Sequence, residues 1–413
     1  MAPRMNFNKV RNLVLSILVI SFSFAGGYYF GVQGFRIEVA KSLQVNVNRI
    51  APPNKNVDFS LFWQVWDSLS SKYYDKTKLN ANQMVYGAIS GMVNSVGDPF
   101  TMFLQPNQNK TVNEDLSGSL EGIGAQLGFD KDTRLIVFSP LSGSPAEHAG
   151  IKPGDLIAHI KDVKKNVDLD TNGITLSDAV SAIRGTAGTT VSLTIVRTGS
   201  DKPLTFDIVR AKIDVPSVEL KFVGKDESIA HIKLNSFNAD SPEEWNKAVD
   251  SVIAKGNAKG IIVDLRNNPG GYLQDSVELA SDFLKVGSVV VIEQDGDEKK
   301  SDYKTNKAGR LTNLPVVVLI NGGSASASEI LAGALRDQIK AKLVGQKSFG
   351  KGTVQEPIDF GGGAGLHVTI AKWLTPNGTW VHGKGLTPDV IVENPTATED
   401  AQLNAAVKLF NTN

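Results

Sequence analysis

No cysteine occurs in the 413 residues. Thiol nucleophiles, disulfides and Cys-ligated metals are therefore excluded, and either side of a membrane stays open. Histidine is scarce. The five (His148, His159, His231, His367, His382) are scattered, without an HExxH or comparable spacing, so neither a metal site nor a cofactor is expected. Excess charge is also missing: Lys+Arg and Asp+Glu both number 43. That removes the basic footprint of a nucleic-acid binder. There is no GxSxG elbow and no KTG box, and no biased tract runs beyond a few residues. What remains is an ordinary globular composition, 41% hydrophobic and 21% charged, long enough for two or three cored domains.

The N-terminus departs from that average. Arg4, Lys9 and Arg11 precede the uncharged run Leu13 to Val32, and Arg36 follows. Twenty helical residues span roughly 30 Å, the thickness of a hydrocarbon core. The preceding positive charges favour a cytoplasmic N-terminus and an exported remainder. Ser23-Phe24-Ala25 offers a rival reading as a cleaved signal, which would give a secreted rather than a single-pass membrane protein. Residues 37–57 are polar, end in Ala-Pro-Pro-Asn and read as a stalk.

Residues 58–113 form a helical region. Phe59, Phe62, Trp63, Trp66 and Leu69 recur at helical spacing as core or dimer contacts, and a second helix runs from Ala81 to Val96, stopping at Gly97-Asp98-Pro99. From about 114 to 212 the pattern changes to short strands, Arg134 to Phe138, Asp155 to Ile160 and Thr190 to Val196, with helices near Pro145 to Ala149 and Leu176 to Ile183. From 213 to 396 Val/Ile runs alternate with helical patterns, which predicts an α/β core with a sheet covered on both faces. Residues 397–413 read as a last helix.

Within that core, Pro315 to Ile320 leads through Asn321-Gly-Gly-Ser-Ala-Ser-Ala-Ser-Glu-Ile330 straight into a helix. A hydroxyl at such a junction meets free N–H groups and the helix dipole at the carboxyl edge of a sheet. Ser324, Ser326 and Ser328 all compete for that place, and any of them would also serve as a plain N-cap. Lys351 follows in Ser348-Phe-Gly-Lys-Gly-Thr-Val-Gln355. Partial burial there would lower its pKa and let it act as a base. Ser348 and Lys351 also fit SxxK, but Gly350 and Gly352 disfavour the helix that motif needs. Asp264 and Arg266 precede Asn267-Asn-Pro-Gly-Gly271 as a structural ion pair.

Ser144-Pro-Ala-Glu-His-Ala-Gly-Ile-Lys-Pro-Gly-Asp155 resembles the corresponding segment of protease-associated PDZ domains. With GSASASEI, FGKGTVQ and DLRNNPGG in order, residues 58 to 395 resemble the carboxyl-terminal processing peptidases. The resemblance implies an α+β and α/β multidomain chain: an N-terminal membrane helix, a helical region, a β-barrel-like PDZ domain with two helices, and an α/β serine peptidase core. It implies Ser326 as nucleophile, Lys351 as general base and Gln355 as the residue holding the lysine. The backbone N–H groups of Ala327 and of Gly270, favoured over Gly271, would bind the oxyanion. Asp337 matches an acidic position of the family and reads as helix-end structure, while Trp373 and Trp380 read as core with some groove lining. Gly122, Ile123, Gly124 and Ala125 would capture a substrate's C-terminus by strand addition. Arg184 would couple tail binding to activity, or else cap its helix. Expected partners are proteins with exposed apolar tails, the membrane, a second copy of the chain, and an adaptor or lipoprotein activator. The alternative is a silent membrane-anchored PDZ scaffold.

Overall fold

The computed structural model describes residues 35–39, 45–49 and 58–410, apart from 131, 142, 175, 215 and 394–398. The expected membrane helix at 13–32 lies outside them, and among the described residues no helix is long and apolar enough to cross a membrane. The chain divides into two compact units, residues 1–85 and 86–413.

In the first unit, strands β1 (Phe35–Val39) and β2 (Val45–Arg49) pair antiparallel where a stalk was expected. Val45-Asn-Val-Asn alternates, the period of a strand that the polar composition hid. Helix α1 (Ser60–Lys72) buries no residue. Phe59, Leu61 and Trp63 are 50%, 69% and 55% exposed, so the aromatic stripe is not core in the single chain. Helix α2 (Ala81–Asn94) crosses into the second unit, and Gly97 (φ 77°) turns the chain after it.

The second unit opens with β3 (Met102–Leu104) and the polar helix α3 (Pro106–Leu116). A small module follows: β4 (Ser119–Gly122), β5 (Ala125–Phe129), β6 (Leu135–Pro140), α4 (Pro145–His148), β7 (Leu156–Asp162), β8 (Val167–Asp170), α5 (Leu176–Ile183), β9 (Thr190–Val196), β10 (Leu204–Val209) and β11 (Ala211–Asp214). Strands β10-β9-β7-β6-β5 form one sheet, with β8 on β7, while β4 pairs with β11. Alternate residues of β9 (Val191, Leu193, Ile195) are buried with Ile157, Ile160 and Ala179 in a separate core. The order and the two helices are those expected of a PDZ domain.

The larger core contains β12 (Val218–Val223), β13 (Ile229–Leu234), α6 (Ser241–Lys255), β14 (Gly260–Asp264), α7 (Leu273–Ala280), β15 (Val289–Asp295), β16 (Lys300–Lys304), β17 (Val316–Ile320), α8 (Ala327–Ile339), β18 (Lys342–Gly345), β19 (Thr353–Asp359), β20 (Gly365–Leu374), β21 (Val390–Ile391) and α9 (Ala401–Phe410). The order β12-β13-β14-β17-β18-β21 is parallel from β13 onward. Every residue of β14 and β17 is buried. Successive side chains point to opposite faces: Val316, Val318 and Ile320 pack with Trp245 and Leu331, whereas Val317 and Leu319 pack with Ala406. Each such side chain stabilises the fold by about 1.5–3 kcal/mol. A second, antiparallel sheet, β16-β15-β20-β19 with β3 on β20, lies beyond the sequence expectation.

Candidate active site

Buried β17 delivers the chain to the carboxyl edge of its sheet, where Asn321 to Ser326 turns into α8. Ser326 is the N-cap, with φ 54° and ψ −117°, a region that non-glycine residues rarely adopt. The structure separates the three competing serines. Ser324 is buried, donating to the Leu265 carbonyl (2.7 Å) and accepting the Asn321 N–H (3.0 Å). Ser328 is buried and donates to the Asn268 carbonyl at 2.9 Å. Of the three, only Ser326 retains solvent access.

The NNPGG turn is bound to the same junction. Asn267 N–H donates to Asn321 Oδ1 (2.9 Å), and Ala325 N–H to the Asn268 carbonyl (3.1 Å). Gly270 (φ 100°) packs so closely that a Cβ would lie 2.9 Å from Ser326 Cβ and 3.0 Å from Ala327 N. Only glycine fits. Its N–H, however, donates to Asn268 Oδ1 at 2.9 Å. Among the described residues, no acceptor takes the Gly271 N–H.

Glu329, fully buried one turn into α8, connects the serine to the lysine. Its carboxylate accepts from Ser326 N–H (3.0 Å), Lys351 N–H (2.9 Å), Gly350 N–H (2.8 Å) and Ser348 Oγ (2.5 Å). The sequence reading missed it, although Ser-x-x-Glu at a helix start is a capping-box signal. Gly350 (φ 94°) allows the loop to pass against Val381 and Gly385, where a Cβ would meet backbone at 2.8 Å. Trp373 Nε1 donates to the Lys351 carbonyl (2.9 Å) and Trp380 Nε1 to that of Gly352 (2.8 Å). Trp373 is core, but Trp380 is 43% exposed and corrects that expectation.

Lys351 Nζ lies 5.4 Å from the centroid of the Phe100 ring. Burial holds its pKa below the usual lysine value, with the Asp98 carboxylate opposing. Gln355 Nε2 donates to Thr353 Oγ1 (2.8 Å) and Thr369 Oγ1 (3.1 Å), which leaves its carbonyl oxygen as an acceptor. Glu329 thus ties the backbones of Ser326 and Lys351 together, yet among the described residues no hydrogen bond joins the lysine amine to Ser326 or Gln355.

In the smaller module Gly122, Ile123, Gly124 and Ala125 line a cavity of about 150 Å³ closed by Val180 and Arg184. Among the described residues no acceptor takes the N–H of Ile123 or Gly124. Arg184 does not cap its helix. Lys165 Nζ does, donating to the Ser181 and Arg184 carbonyls, while Arg184 pairs with Asp115 of α3 at 2.8 Å.

Comparison with known proteins gives the family. Residues 228–392 match the model of peptidase family S41, residues 111–196 that of the PDZ domain, and residues 21–108 that of the N-terminal domain of the activating protease CtpB. The carboxy-terminal processing protease CtpA of Bacillus subtilis (strain 168) is 38% identical over 344 residues, covering 83% of this chain and 70% of that protein. CtpB of the same organism is 35% identical over 376 residues, covering 89% and 75%. The chain belongs to the carboxy-terminal processing proteases. The solved photosystem II D1 C-terminal processing protease is also similar, at 26% identity and TM-score 0.53, covering 85% of this chain and 96% of that one.

In this processing protease Asp337 is helix-end structure, as expected. It sits ten residues along α8 from Ala327, about 15 Å at the helical rise, and its carboxylate accepts the Asn377 N–H at 3.1 Å. Asp264 and Arg266 are a structural pair that also holds Asp400 and His231.

Proposed function

We propose that this protease cleaves exported proteins through a Ser326–Lys351 dyad after its PDZ domain has bound their apolar C-terminal tails. The observation that carries the reading is the buried Glu329 carboxylate, which draws the backbone of a strained, accessible serine and that of a desolvated lysine to one point. Neutral Lys351 takes the proton of Ser326 Oγ as that oxygen attacks the scissile carbonyl, then returns it to the leaving amine. Water hydrolyses the resulting acyl-enzyme by the same proton path. Gln355 orients the amine through its free carbonyl oxygen. Ala327 N–H, first in α8, and the Gly271 N–H bind the oxyanion; Gly271 replaces Gly270, whose amide Asn268 holds.

Ile123 and Gly124 N–H groups receive the tail carboxylate, and the tail adds along β5. Its arrival beside Arg184 loosens the bond to Asp115 and shifts the protease towards its active arrangement. Arg4, Lys9 and Arg11 before Leu13 to Val32 support a single-pass anchor with the catalytic part outside the cytoplasm; a cleaved signal would instead release it. The exposed α1 face supports pairing with a second copy.

The test is cleavage of an unfolded reporter carrying an apolar tail, free or amidated. Wild type is expected to cut it, amidation to weaken cutting, and Ser326→Ala and Lys351→Ala each to lower kcat at least ~10³-fold. Cleavage surviving in Ser326→Ala would refute the assignment.

A further inference from the structure

The turn that ends α2 forms one wall of the lysine pocket, although it lies some 250 positions away in sequence. Asp98 Oδ1 accepts the Phe100 N–H (3.0 Å) and Oδ2 the Thr101 hydroxyl (2.7 Å), so this carboxylate fixes the turn that places the Phe100 ring beside Lys351 Nζ. Thr101 Oγ1 accepts the Thr369 N–H at 3.1 Å, which ties the turn to β20. The Thr369 hydroxyl accepts from Gln355 Nε2 at 3.1 Å. A register shift between Val354 and Gln355 sets Gln355 directly opposite Thr369, the re-aiming that bulges provide beside active sites.

We propose that Asp98 is a positioning residue for the reaction: it is the counter-ion of Lys351 and, through Thr101 and the backbone of Thr369, it holds the strand whose hydroxyl Gln355 donates to. This rests on the reading of Lys351 as the base. The carboxylate and the Phe100 ring hold the ammonium in its pocket between turnovers. Thr353 Oγ1 and Thr369 Oγ1 both accept from the Gln355 NH₂, so the glutamine offers its carbonyl oxygen to the lysine rather than its NH₂. A purely structural turn would need the Asp98 bonds to Phe100 and Thr101 but would have no stake in the protonation of Lys351.

Other groups face the lysine. Glu329 bonds its backbone N–H, His367 lies near enough for the Lys351 charge to act on it, and His382 stacks on Trp380 and meets Phe100 edge-on. The experiment must therefore separate them. The dependence of kcat and KM on pH would be measured for the wild type, Asp98→Asn, Thr369→Val, Thr369→Ser and His367→Asn, with the tailed reporter as substrate. Tail affinity would be measured in parallel. Catalysis needs neutral lysine, so activity rises with pH through the pKa of Lys351. Removing the Asp98 charge favours the neutral amine, and the acid limb of the Asp98→Asn profile is expected at lower pH, with tail affinity unchanged. Thr369→Val is expected to lower kcat about tenfold with KM and the acid limb in place, and Thr369→Ser to restore it. An acid limb unmoved in Asp98→Asn, or one moved by His367→Asn instead, overturns the proposal. Wild-type kcat in Thr369→Val does so independently, even if Asp98→Asn fails to fold. Full activity in Lys351→Ala would instead overturn the dyad itself, a different result from any of these.

Discussion

Four donors converge on one carboxylate at Glu329, and three of them are backbone N–H groups from two separate loops. Such a group has no water to fall back on. A glutamine there would keep the shape but present its NH₂ to some of these donors, so at least one buried bond is lost and one donor pair is opposed. A buried donor left without a partner costs about 1–3 kcal/mol. Glu329→Gln is therefore expected to lower the Tm by several degrees and kcat by tenfold or more, because the cost falls on the two loops that carry Ser326 and Lys351. Thermal unfolding and labelling of Ser326 by a serine-directed phosphonate would read both effects. Wild-type stability with wild-type labelling would mean that the clamp does not hold the site. Lys351 itself shows what a residue-scale reading of sequence can reach. The partial burial expected of it is found, and Gly350 beside it lies against backbone. Its aromatic and acidic neighbours, Phe100 and Asp98, are too distant in sequence for any local pattern to announce.

The elements best read from sequence are those whose environment is uniform along their length. Strands β14 and β17 are buried on both faces, so they appear as unbroken Val/Ile runs, and α5 and β9 were expected at their observed limits. The second sheet escaped notice because its strands mix exposures: β19 is exposed or half-buried throughout. Helix α3 escaped for the same reason, since only Asn109 in it is buried. Long-range polar ties were equally invisible. The expected pair of Asp264, at the end of β14, with Arg266 also takes in His231 on β13 and Asp400 at the start of α9. Burial pushes the Asp264 pKa up, but the bonds from Arg266 and His231 outweigh it and bring the group from 3.8 down to about 2. A depressed carboxylate stabilises the fold fully above its unfolded pKa and loses that contribution as pH falls through the folded one. About 2 kcal/mol should therefore be present above pH ~4 and fade towards pH 2. Asp264→Asn is expected to be less stable at pH 7, yet flatter between pH 4 and 2 in urea unfolding. An equally steep fall in the variant would place the acid sensitivity elsewhere.

At the scale of the whole second unit, one segment touches both ends of the proposed mechanism. Residues 98–101 border Lys351, β3 pairs with β20, and α3 then runs to Asp115, the partner of Arg184. Midway, Asn109 Nδ2 donates to Asp359 Oδ1 (2.8 Å) and to the Gly363 carbonyl (3.2 Å), at the hairpin that joins β19 to β20. Gly365 packs against the same side chain, where a Cβ would come within 2.4 Å of Asn109 Oδ1. The hairpin carries Gln355 on one strand and Thr369 on the other, so a shift of α3 cannot leave the lysine's surroundings untouched. Asn109 is 6% exposed, and this helix buries no other residue, which makes it the point where the strut grips the hairpin. Asn109→Ala should loosen that grip without altering the tail cavity. Peptides with an apolar C-terminus should then bind with wild-type affinity, by fluorescence anisotropy, but raise the cleavage rate less than they do in wild type. Arg184→Ala should also blunt the stimulation, with its peptide affinity free to change because it lines the cavity, and the double variant should blunt it little further, since both act on one path. If Asn109→Ala keeps full stimulation while Arg184→Ala loses it, the signal leaves α3 before reaching the hairpin. If both keep it, tail binding and catalysis are coupled by some route other than this helix.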